Sequence, residues 1–70
     1  MDKLDNAIEQ ITIEMLQGLT YGSEVELNDE YTLYHYIEDD IISIFSTEEW
    51  VEMYAVLYSK ETNEIIIEEL

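Results

Sequence analysis

Carboxylates are the groups with which this chain could do chemistry: 18 Asp and Glu stand against two lysines and one histidine in 70 residues. Carboxylates can relay protons, hold hard metal ions or bind cationic groups. Proton relay needs two acids at a defined separation, and acids so abundant single out no pair. A calcium loop needs acids at alternating positions around a glycine. Neither Asn28-Asp29-Glu30 nor Glu38-Asp39-Asp40 has that spacing, and no glycine stands beside them. His35 is the only imidazole and cysteine is absent, so a His/Cys zinc set cannot be assembled. On a strand face with Leu33 and Ile37, His35 reads as a packed, hydrogen-bonded residue. There is no Gly-rich phosphate loop and no nucleophile elbow. The expectation is no enzyme, no cofactor and no resident metal, which leaves recognition of positive charge.

The formal net charge of −16 strengthens that reading. Ordinary surfaces intersperse both signs, and a large single-sign field serves steering or binding. Highly acidic chains are often disordered because they lack apolar residues. Here 47% of residues are hydrophobic, with six Tyr, one Trp and one Phe, so the chain folds. The candidate partner-binding residues are acids beside aromatics. They are Glu38, Asp39 and Asp40 next to Tyr34 and Tyr36, with Glu52 and Tyr54 beyond them. Carboxylates can stand in for phosphates and tyrosine rings for base faces, which complements a groove of Arg, Lys and aromatic side chains. The blander alternative is a solvated acidic surface whose aromatics are cross-strand pairs, a second core or a dimer contact.

These residues must be positioned by regular elements. Leu4, Ile8, Ile11, Met15 and Leu19 form one apolar stripe, which predicts a single helix over the first eighteen residues, with Asp2 as N-cap. From Glu24 the period becomes two. Strands are predicted at Glu24 to Leu27, at Tyr31 to Ile37 and at Ile41 to Phe45, followed by a hairpin ending in Ile65 to Ile67. Residues 47–58 read either way. Trp50, Tyr54 and Tyr58 share a helical face, while Val51, Met53, Ala55 and Leu57 alternate as in a strand, and the strand is favoured. In that reading Glu24, Glu26, Glu52, Glu64 and Glu68 point outward, as do Tyr34, Tyr36, Tyr54 and Tyr58. The predicted fold is α+β, an N-terminal helix packed on a four- or five-stranded antiparallel sheet.

Residues 1–70 suffice for one acidic α+β domain whose core is small. Without disulfides, self-association into a homodimer is the support to look for. The N-terminus lacks the basic start and apolar run of a signal peptide, and no stretch approaches the roughly 20 apolar residues that span a bilayer. The expectation is a cytoplasmic protein that engages neither membrane nor, given its charge, nucleic acid directly.

In size, acidity, missing cysteines and α+β pattern, the whole chain resembles the small phage-encoded inhibitors: anti-CRISPR proteins, anti-restriction proteins and uracil-DNA glycosylase inhibitors. The resemblance lies in composition and architecture, without a diagnostic motif. It implies an inhibitor that acts as a DNA mimic in the host cytoplasm. Its partner would be a basic nucleic-acid-binding protein, such as a Cas nuclease or a restriction or repair enzyme. Two other classes remain open: an acidic adaptor or chaperone-like module holding a basic host protein, and a structural subunit of an oligomer.

Overall fold

The N-terminal apolar stripe is carried by two short helices, where the sequence pattern predicts one. In the computed structural model, which describes residues 2–36 and 41–70, α1 spans Lys3–Glu9 and α2 spans Ile13–Gly18. Asp2 caps α1 by accepting from the Asp5 N–H at 2.8 Å. The chain then turns at Gln10 and Ile11. Thr12 adopts extended geometry and its hydroxyl accepts from the Met15 N–H at 3.1 Å, which starts α2. Thr12 sits between two other β-branched residues, Ile11 and Ile13, in a run that favours extended backbone over helix. The break re-aims the stripe. Ala7, Ile11 and Leu16 are buried, while Leu4, Ile8, Met15 and Leu19 are half-buried.

The sheet is a five-stranded antiparallel meander: β1 (Glu24–Glu26), β2 (Tyr31–His35), β3 (Ile42–Ser46), β4 (Glu52–Ser59) and β5 (Glu64–Glu69). Residues 47–58 therefore divide into a turn and most of β4, as the strand reading expects. The β1–β2 turn also docks α1. Asn28 Oδ1 accepts from the Glu30 and Tyr31 N–H groups, each at 2.9 Å, and its amide donates to the Lys3 carbonyl at 2.8 Å. Gln10 donates to the Leu27 carbonyl at 2.6 Å, and the Lys3 ammonium meets Asp29 at 2.7 Å.

The helices cover one sheet face. Leu33, Ile42, Ile44 and Val56 face Ala7, Ile11 and Leu16 there, and these residues form the main core. His35 is buried on this face. Its Nδ1–H donates to the Leu19 carbonyl at 2.8 Å and its ring lies 4.6 Å from that of Tyr21. It is the packed, hydrogen-bonded histidine that its strand position predicts.

One irregularity decides which side chains reach the other face. Between β3 and β4 the pairing runs Ile44 with Tyr54 and then Phe45 with Glu52, so Met53 is one residue too many. A bulge of this kind flips side-chain parity along its strand. Glu52 consequently faces away from the helices, but Tyr54 faces the core and meets Tyr31 edge-on at 6.4 Å. Tyr58, four residues further on and opposite Ile65, follows Tyr54. The outward placement expected for Tyr54 and Tyr58 is thereby corrected.

Candidate partner-binding face

The face turned away from the helices holds its own aromatic cluster. Tyr34 on β2 and Phe45 on β3 point to this side, because Leu33 and Ile44 between them point to the core. Phe45 is buried at the centre. Tyr34 and Tyr36 approach it at ring-centroid distances of 5.7 Å each, and Trp50 stacks on it at 4.6 Å with ring planes 21° apart. Tyr34 also meets the Trp50 ring edge-on at 5.6 Å. Aromatic pairs in these geometries contribute about 0.5–1.5 kcal/mol each beyond their buried area. The cluster is therefore a second, smaller core, and Trp50 still has 43% of its surface exposed.

Trp50 reaches that position through the β3–β4 turn. Its N–H donates to the Ser46 carbonyl at 2.8 Å, and the Ser46 N–H donates to the Val51 carbonyl at 2.9 Å. The turn closes with Trp50 in the left-handed region, φ 55°. Asn63 has the same conformation, φ 59°, in the turn between β4 and β5. Asparagine is at ease there, whereas a bulky aromatic side chain is an outlier.

Acids frame the cluster on both sides. Glu24 pairs with Tyr34 and Glu26 with Thr32, which puts both carboxylates on the aromatic side of β1. Across the cluster, Glu52 pairs with Phe45, and its Oε2 accepts from the buried Ser43 hydroxyl at 2.6 Å. Further along the same face, Glu68 lies opposite Ala55 and Glu64 opposite Ser59, with Leu57 and Ile66 exposed between them. All five acids point outward as the sequence reading expects; for Glu24, Glu26, Glu64 and Glu68 this follows from the strand period, and for Glu52 from the bulge at Met53. Same-face residues two apart on a strand are roughly 6.6 Å apart and neighbouring strands about 4.8 Å, so these acids form a spaced array. The two lysines do little to neutralise it. Lys3 is committed to Asp29, beside α1, and Lys60 sits in the turn after β4.

Of the sequence-derived candidates, Tyr34, Tyr36 and Glu52 come together on this face and Tyr54 lies on the opposite one. Glu38, Asp39 and Asp40 lie outside the described residues. Phe45, the hub of the cluster, is not among those candidates; its alternation with Ile44 is the signal that would have found it. Among the described residues no three His, Asp or Glu side chains come together in a way that could hold a metal ion. A cavity of about 240 Å³ at the ends of β2, β3 and β4 is lined by His35, Ile41, Ile42, Val56, Leu57 and Tyr58. Its walls are mainly aliphatic. Among the described residues no helix is long and apolar enough to cross a membrane. Comparison with family models, curated proteins and solved structures finds no match to this chain.

Proposed function

We propose that this protein is an inhibitor of the phage-encoded type that mimics nucleic acid. It would occupy the basic nucleic-acid-binding surface of a host defence or repair enzyme, such as a CRISPR-Cas effector. The observation that carries the reading is the single-sign sheet face, on which Glu24, Glu26 and Glu52 flank aromatic rings and Glu64 and Glu68 extend the acids to β5. Phosphate-binding grooves present Arg and Lys in rows with aromatic side chains between them, and this face offers the complementary groups. Phosphates would repel the protein itself, so it engages the reader of nucleic acid and not the polymer. The test is capture of partners from a bacterial lysate, followed by elution with duplex DNA or RNA. The reading expects nucleic-acid-binding proteins that either polymer releases, together with blank gel shifts for the protein alone. Partners that nucleic acid does not displace, or direct binding to either polymer at ordinary salt, would contradict it.

A second reading has an observation of its own. Leu57 and Ile66, exposed by 48% and 51%, are cross-strand neighbours at the β4–β5 end of the same face. An acidic adaptor that grips a basic host protein through apolar contact would use that pair. Such a complex would resist salt, because burial of apolar surface is insensitive to screening.

A further inference from the structure

We infer that the Trp50 platform is a seat for an arginine side chain of the partner, which distinguishes arginine from lysine where the carboxylates alone would not. The inference rests on the reading above that the partner is basic, and it adds which basic side chain is chosen. Phe45 stacks on one face of the indole and Tyr34 meets it in a T-shaped contact, and Trp50 is still 43% exposed, which leaves surface for a partner's side chain. A guanidinium is planar, weakly hydrated and able to stack on such a face while its N–H groups reach a carboxylate. An ammonium is a compact, strongly hydrated charge that gains less from a ring.

Charge complementarity places the cation here. Glu52 stands directly across from Phe45 on the neighbouring strand, and Glu24 directly across from Tyr34. Directly opposed side chains have Cβ atoms roughly 5 Å apart, so carboxylates flank the stack on two sides. Glu52 is also oriented. The Ser43 hydroxyl bonds one of its oxygens at 2.6 Å, which occupies one of about four lone-pair positions and leaves the others for an incoming donor.

The turn residue itself supports a role for the ring. At φ 55° glycine or asparagine would close the turn without strain, as Asn63 does at φ 59°. The chain keeps an indole at the strained position. Trp50 is still 43% exposed, so packing uses only part of what the residue offers.

The experiment uses the intact protein and two probes of equal charge, octa-arginine and octa-lysine, titrated at physiological salt. Trp50 is the sole tryptophan, so its emission reports directly on the platform. The expected result is saturable quenching, with octa-arginine bound roughly two- to five-fold more tightly than octa-lysine. Labelled-peptide anisotropy then compares Trp50→Leu and Trp50→Phe, with circular dichroism confirming the sheet in each. Trp50→Leu should bind both peptides equally, and Trp50→Phe should retain part of the preference. Equal affinity of the wild-type protein for the two peptides overturns the inference, and so does an unchanged preference in Trp50→Leu or no saturable change with either peptide. Equal binding would leave the acidic-recognition reading standing. Failure of nucleic acid to displace captured partners would overturn that reading while the arginine preference remained measurable.

Discussion

Glu52 has two roles that substitution can separate. Its carboxylate satisfies the fully buried Ser43 hydroxyl and also carries charge on the aromatic face. Glu52→Ala strands that hydroxyl, and leaving a buried polar group unpaired costs about 1–3 kcal/mol. Glu52→Gln keeps an acceptor oxygen and removes only the charge, so its cost in urea unfolding should stay below about 1 kcal/mol while partner binding weakens. Equal destabilisation by the two variants would mean that the Ser43 bond is not what holds Glu52. Tyr31 makes a pH-dependent contribution. Burial, followed by the charges of Tyr54, Glu30 and Asp2, pushes its phenol above the usual value. The folded state thus holds that proton more tightly than the unfolded chain. The stabilisation is complete below about pH 10 and disappears as pH rises through the folded-state value. Tyr31→Phe should flatten the fall in melting temperature above pH 10, and an unchanged alkaline slope would contradict the assignment.

At the scale of elements, the break between α1 and α2 depends on one cap. Thr12→Ala removes the oxygen that accepts from Met15, and loss of such a cap typically costs about 1 kcal/mol. Thr12→Asp or Thr12→Ser should retain most of the stability, as read by thermal melting. If Thr12→Ala were neutral, the two helices would have to be joined by packing and not by the cap. The strands were legible in the sequence because Glu24-Val25-Glu26 alternates and Tyr31 to His35 is rich in aromatic and β-branched residues, and the faces of β2 follow from the two-residue strand period. The face of Tyr54 was not legible. It depends on the extra residue at Met53, and the extra residue depends on how the turn through Trp50 meets β3. No local pattern shows that β4 changes parity there, because Glu52, Tyr54 and Tyr58 all fit one uninterrupted alternation. The helix break was missed for a related reason. Leu4, Ile8, Ile11 and Met15 keep a helical spacing across it, and the Thr12 cap that interrupts them is a single side chain.

At the scale of the molecule, five strands are covered on one face only by helices of seven and six residues. The opposite face is held together by Phe45, Tyr34 and Trp50, so part of the proposed partner surface is also a small core. The proposed partner face was legible as charge, since 18 acids against two lysines demand an explanation, and alternation put Glu24, Glu26, Glu64 and Glu68 on one face. Its aromatic centre was only half legible, because Phe45 looks like any core residue until Trp50 is seen stacked on it. If this charged face is what the partner recognises, association must depend steeply on salt. Complementary fields raise association rate constants towards ~10⁸ M⁻¹s⁻¹ at low salt, and screening over about 8 Å at physiological ionic strength removes much of the gain. Stopped-flow mixing with the captured partner from low to physiological salt should show the on-rate falling by about tenfold or more, with the off-rate changing little. An on-rate that stays flat across that series would contradict the claim and shift recognition to the apolar Leu57 and Ile66 end of the face.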